Sequence, residues 1–254
     1  MQGHFCQLYP YGAMNWQDLS THEHAEKRFE AALLPIGTIE AHDGGPVGTD
    51  NLIPDALCDR LSERLGIPKL PLMPYGVTNS LLAYHGSCSL TDQVLEDFLY
   101  ELGKTLARGG LKYLFVVNGH GGNTDPLRAG ARRLFRDSGV FVAVIDWWVE
   151  TRRDAEEIFG KGGMGHSAID EMAALLGFCP RFRDSLPGGE VASYYYWQGV
   201  RVYPVPRPVI VYENPDERVD FSRLTPEKCS AFAERVTDVM ARVIEEILAG
   251  WREI

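Results

Sequence analysis

The sequence predicts an α/β fold, with a mostly parallel sheet covered by helices on both faces. Three observations lead there. Short apolar runs at residues 31–36, 113–117 and 140–145 alternate with longer stretches of helical periodicity. The chain of 254 residues is long enough for one sizeable core, so one domain over residues 1–254 is expected. Residues able to carry chemistry also stand just after the apolar runs: Glu40 and His42 after the first, His120 after the second, Asp146 after the third. Parallel sheets bind ligands beyond the carboxyl ends of their strands.

Each element has its own signal. Residues 31–36 (AALLPI) read as a buried strand that stops at Gly37. Residues 51–65 place Ile53, Leu57, Leu61 and Leu65 on one helical face. Residues 69–73 are expected to form a second strand. Thr91 and Asp92 cap a helix running to about Arg108, because either side chain can accept first-turn N–H groups. The run YLFVV at 113–117 is a short β-rich strand, followed by the loop Asn118-Gly119-His120-Gly121-Gly122-Asn123 and a helix over 125–136. Residues 140–145 form another core strand. Residues 166–176 read as a helix with Ile169, Met172, Ala173 and Leu176 inward. Residues 200–212 are β-rich but broken by proline, an irregular edge or hairpin. A long helix over 226–249 follows.

Composition narrows the function. Hydrophobic residues make up 45% and charged residues 24%, ordinary for a globular protein. A formal net charge of -10 is poorly suited to neutralising phosphates, so nucleic acid is not an expected partner. The five cysteines (Cys6, Cys58, Cys88, Cys179, Cys229) are odd in number and contain no C-x-x-C, which argues against a disulfide framework or thiolate zinc site and for a reducing cytoplasm. The opening segment lacks the basic-then-apolar pattern of a signal peptide, and no apolar stretch is long enough to span a membrane.

Three clusters stand out. Glu40 and His42 lie two apart, so an extended backbone points them the same way, and a Gly- and Pro-rich turn can fold Asp50 back toward them. Carboxylate and imidazole suit zinc, manganese or iron(II), and one carboxylate can bridge two ions. The bland alternative is a solvated loop. In the second cluster, glycines around His120 allow close approach of backbone and ligand. A plain strand-to-helix turn is the rival, and the G-x-G-x-x-G spacing of a phosphate loop is missing. In the third, Ser167 pairs with Glu171, and His166 with Asp170, at helical i, i+4 spacing. GHSAI also approximates a nucleophile elbow with Ile169 in place of glycine, so a serine hydrolase using Ser167 is a competing reading. A helix start with a capping serine is the bland one.

The segments LLPIGTIEAHDGGPVGTD, VVNGHGGN and GHSAIDEMAALL resemble, in order and spacing, the hallmarks of the creatininase (creatinine amidohydrolase) family. Tyr75-Gly76 and the later HGSCSL stretch resemble a fourth, and the likeness covers roughly residues 31–177. The resemblance implies a three-layer α/β/α sandwich, one or two divalent metal ions per chain, hydrolysis of a C–N amide bond, and frequently a hexamer. It implies one metal on Glu40, Asp50 and His120 and another on His42, Asp50 and Glu171. The chain departs from the family pattern: Asp43 replaces glycine, Gly122 stands where creatininase has glutamate, and Ser167-Ala168-Ile169 replaces A-G-E. These changes imply an amide other than creatinine.

The expected chemistry is metal-assisted hydrolysis, with Glu171 a ligand and His166 the acid/base that protonates the leaving nitrogen. Asn118, Asn123, Tyr75 and Trp147 are expected near substrate; Trp147 and Trp148 equally suit the core. Arg201 and Arg207 are candidate anion binders. A non-catalytic small-molecule binding protein on the same fold is the alternative from another class.

Overall fold

The computed structural model describes residues 12–195, 200–213 and 218–254. Cys6 and the opening segment 1–11 lie outside the described residues. Helix α1 (Thr21–Lys27) is closed at its start by a capping box between Ser20 and Glu23. Strand β1 (Ala31–Ile36) leads to α2 (Thr49–Leu65), then α3 (Asp92–Arg108), whose cap Thr91 accepts from the Val94 amide as expected. Strand β2 (Tyr113–Asn118), helix α4 (Thr124–Ser138) and strand β3 (Phe141–Asp146) follow. Short helices α5 (Trp147–Glu150) and α6 (Arg152–Phe159) come directly after β3 and were not foreseen. Helix α7 (Ile169–Phe178), the two-residue strands β4 (Tyr194–Tyr195) and β5 (Val211–Tyr212), and α8 (Pro226–Trp251) complete the order.

β1, β2 and β3 form a parallel sheet with β2 in the centre. Because successive side chains alternate faces, the sheet divides its apolar residues between two cores. Leu33, Phe115, Val117 and Ile145 pack with α2, α7 and α8. Ala32, Leu34, Ile36, Leu114 and Val116 pack with α3 and α4. This is the α/β/α layering the resemblance implied.

Three expectations need correction. Residues 69–73 are not a strand but two isolated parallel bridges to β1, Leu33 with Lys69 and Ile36 with Met73. Pro35 and Pro71 supply no N–H at this seam, and four residue steps on one side face three on the other, so the ladder cannot run continuously. Residues 200–212 make no hairpin: β5 pairs parallel to β4. The helix expected from His166 begins at Ile169, because Ser167 has φ 52° and cannot continue a right-handed helix. Among the described residues, Cys58, Cys88, Cys179 and Cys229 are free, and no helix is long and apolar enough to cross a membrane.

Gly177 on α7 tests the packing of α7 on α8. A Cβ there would lie 2.2 Å from the Cys229 carbonyl oxygen and 2.7 Å from the Ala233 Cβ. Alanine improves helix propensity by about 1 kcal/mol. Overpacking against helix backbone costs about 1–3 kcal/mol. Gly177→Ala therefore lowers the melting temperature, by up to about 8 °C. Calorimetry that finds it raised contradicts this close approach.

Candidate metal centre

Asp50 occupies the first turn of α2, a helix that starts at Thr49, two residues earlier than expected from sequence. Pro54 lacks the N–H that would close on the Asp50 carbonyl. The loops after β1 and β2 crowd that carbonyl instead. A Cβ on Gly37 or Gly119 would fall 2.2 or 2.0 Å from it, so only glycine permits the approach. This packing draws the segments carrying Glu40 and His120 onto the start of α2.

The six side chains singled out in the three clusters meet here. His120 Nδ1 lies 2.9 Å from Asp50 Oδ2 and 3.2 Å from Glu40 Oε1. His42 Nε2 lies 3.0 Å from Asp50 Oδ1 and 3.5 Å from Glu171 Oε2. Asp50 thus presents one oxygen to each of two groups: Glu40, Asp50, His120, and His42, Asp50, Glu171. His166 Nδ1 points to the same centre, 3.3 Å from Glu40 Oε1 and 3.9 Å from Glu171 Oε2, and forms a third group with Glu40 and His42.

Each imidazole is anchored through its other nitrogen to a backbone carbonyl. His42 Nδ1 sits 3.0 Å from the Glu40 oxygen, His120 Nε2 2.9 Å from that of Val77, and His166 Nε2 2.9 Å from that of Ala41. A carbonyl only accepts, so these nitrogens carry the protons and the inward nitrogens are left with lone pairs when the rings are neutral. Thr78 donates to Glu40 Oε2, while Glu40 Oε1 and Asp50 Oδ2 are buried with no hydrogen-bond partner. Unpaired buried carboxylate oxygens beside an imidazole lone pair fit a divalent cation, which supplies the missing partner.

Protons compete with a cation for the same inward nitrogens. Burial pushes the His42 and His120 imidazoles toward neutrality, but Asp50 with Glu171, and Glu40 with Asp50, hold them well above the usual range. Burial likewise opposes ionisation of Asp50, yet His42 and His120 pull it well below the ordinary carboxylate range. Glu171 is raised by burial and by Asp50, against the pull of His42.

A cavity of about 290 Å³ opens onto this centre. Trp147, Trp148, Leu81 and Val205 form apolar wall, and Asp170 and Glu213 add carboxylates. Trp147 is both core and cavity wall, with its indole nitrogen buried and unpartnered. Tyr75 is 51% exposed and does not line the cavity. Asn118 and Asn123 do not line it either. Asn118 donates to Asp146 Oδ1 (2.7 Å) and the His120 carbonyl (2.8 Å), and accepts from the His120 amide (3.1 Å). Asn123 accepts from the Val77 amide and donates to the Gly37 carbonyl. Both asparagines are spent on holding loops. Arg207 stacks over Tyr84 and lies outside the cavity, and Arg201 does not line it.

Ser167 is not placed as a nucleophile. It is 1% exposed and its Oγ donates to the His42 carbonyl at 2.8 Å, not to an imidazole. Sequence reasoning missed Thr78, Leu81, Val205 and Glu213. Thr78 follows the Tyr75-Gly76 segment closely and was within reach; Val205 lies in the proline-broken stretch, where no periodicity marks a wall; nothing local marks Glu213.

A profile of the family described as creatininase, creatinine amidohydrolase, matches residues 12–244. A creatinine amidohydrolase of Pseudomonas putida is 27% identical over 170 residues, covering 60% of this chain and 65% of that protein. A mycofactocin precursor peptide peptidase of Mycolicibacterium smegmatis is 30% identical over 130 residues, covering 47% and 52%. The matched segments thus span less than two thirds of either relative's own length. A crystal structure of creatinine amidohydrolase (creatininase) superposes with a TM-score of 0.76 at 22% identity, covering 92% of this chain and 97% of its own. One described as "Creatininase Mn" gives 0.74 at 23%, covering 92% and 98%. At these identities the structural likeness speaks to the fold.

Asn118 distinguishes loop support from substrate contact. Asn118→Ala leaves the His120 amide without its acceptor and removes one donor from Asp146, which keeps Thr124 and Arg128, at a cost of about 1–3 kcal/mol. The variant unfolds about 2–12 °C lower in calorimetry. An unchanged melting temperature would return Asn118 to a role outside the scaffold.

Proposed function

The chain belongs to the creatininase family, and from that membership we propose that it is a metal-dependent amidohydrolase that cleaves a C–N amide bond in a small molecule or peptide-like substrate. The observation that carries the reading is the pair of buried, unpartnered oxygens, Glu40 Oε1 and Asp50 Oδ2, facing the inward nitrogen of His120. Glu40, Asp50 and His120 would hold one divalent ion, and His42, Asp50 and Glu171 a second. Zinc, manganese and iron(II) suit such mixed carboxylate and imidazole sets.

The chemistry supplied by a bound divalent ion is acidification of water and polarisation of the scissile carbonyl. His166 presents Nδ1 to the cavity with Nε2 tied to the Ala41 carbonyl, so the ring is oriented to hold a proton at Nδ1 and pass it to the leaving nitrogen. Glu171, whose carboxyl burial holds above its ordinary range, lies 3.9 Å from His166 Nδ1, and Glu40 lies 3.3 Å from it, so two carboxylates flank this proton path. Trp147 and Trp148 exclude water from one wall. The volume of about 290 Å³ suits a small ligand or one residue of a peptide. Among the described residues no lysine or arginine lines the cavity, which supports a neutral or cationic amide over a phosphorylated one. The reading includes a single domain over residues 1–254 acting as a homo-oligomer, hexameric by family likeness, in a reducing cytoplasm. A non-catalytic binding protein would stabilise on adding ligand and release no product.

Protein purified without chelators contains about one to two divalent ions per chain by elemental analysis. His120→Ala loses metal and lowers turnover on an amide panel at least about 100-fold. A fully folded, metal-free wild type overturns the reading. Because carboxylate neighbours raise the proton affinity of His42 and His120, metal binding competes with protons for their inward nitrogens. Zinc affinity therefore rises with pH, and calorimetry reads net proton release on binding, from the dependence of apparent enthalpy on buffer ionisation heat. Binding without proton release contradicts the assignment of these imidazoles as ligands.

A further inference from the structure

Ser167 sits between the two chain segments that deliver His42 and Glu171. Its Oγ donates to the His42 carbonyl at 2.8 Å, and its amide donates to Glu171 Oε2 at 2.5 Å. The His42 carbonyl also accepts the Gly45 amide at 2.8 Å, which closes the turn after His42. The serine is buried, and its φ of 52° is a conformation that residues other than glycine seldom adopt. Glycine would take that conformation without strain but would have no hydroxyl. The left-handed backbone turns the amide toward Glu171 while the side chain reaches His42, so one residue ties both ligand segments together. Neither donor reaches Glu40 or His120, which are held instead by Thr78 and the Val77 carbonyl.

We propose that Ser167 is a positioning residue that pre-forms the ligand set of His42, Asp50 and Glu171 and leaves the set of Glu40, Asp50 and His120 untouched. The inference rests on the two-ion reading above. It gives this serine a part the nucleophile-elbow reading missed: its hydroxyl acts on the geometry of the centre and performs no covalent chemistry. Partners that orient metal ligands from behind typically change metal affinity by about 10- to 100-fold when removed.

The test is titration of metal-free protein with cobalt(II), followed by visible d–d absorption and competed with a chelator to resolve the two binding steps. The variants are Ser167→Gly, which keeps the backbone conformation and the amide donor, and Ser167→Ala, which keeps the Cβ. Wild type takes up two ions. Both variants weaken one step by about 10- to 100-fold and leave the other at its wild-type affinity. If Ser167→Ala does not fold, Ser167→Gly carries the test alone. Two unchanged steps, or two steps weakened alike, overturn the proposal, since a merely structural serine would not discriminate between ligand sets. A wild type that takes up fewer than two ions removes the underlying two-ion reading itself, a failure separable from that of Ser167.

Discussion

The Asp50 carboxylate faces two imidazoles at once, 2.9 Å from His120 and 3.0 Å from His42, from inside a buried cluster of acids. That placement constrains much of the surrounding backbone. Asp50 must start a helix rather than end a loop, the turns after β1 and β2 must approach it without side chains, and Pro54 must release its carbonyl from the helical ladder. Gathering carboxylates and imidazoles away from water in one small volume is costly, and setting opposite types side by side offsets part of that cost.

The sheet brings this about by simple geometry. β1 and β2 run parallel and in register, so their carboxyl ends lie side by side and the loops carrying Glu40 and His120 emerge together. Asp146 at the end of β3 pairs with Asn118 and Arg128 and braces the His120 loop from the far side. The third cluster comes from the opposite core layer, through α7, a helix buried on nearly all sides. A sheet edge and a core helix thus meet at the centre, and both are rigid.

Much of this was legible beforehand. The strands at 31–36 and 113–117 were apolar throughout, and a β-strand buried on both faces has that signature. Glu40, His42 and His120 were picked out just past strand ends, Asp50 beyond a turn that could fold it back, and His166 and Glu171 at helical spacing, while their grouping into two ligand sets came from the family resemblance. What was not legible depended on contacts distant in sequence. Residues 69–73 look like a strand until the proline opposite them is known to be Pro35. Asn118 and Asn123 look like substrate ligands because polar residues beside a glycine-rich loop usually face solvent, and only the fold shows Gly37, Val77 and Asp146 consuming their hydrogen bonds. Ser167 resembled a nucleophile because its neighbours in sequence were right, while its neighbour in space was a carbonyl.

The anchoring of His42, His120 and His166 to the carbonyls of Glu40, Val77 and Ala41 has an evolutionary side. Metal sites often orient their imidazoles with carboxylate side chains, which a point mutation can delete. A main-chain oxygen is present whatever residue occupies the position. Drift at 41 or 77 therefore leaves ring orientation intact for as long as the loop keeps its path, and selection there acts on the course of the backbone instead of on residue identity. Relatives can share this outer layer in full while showing no common letters for it.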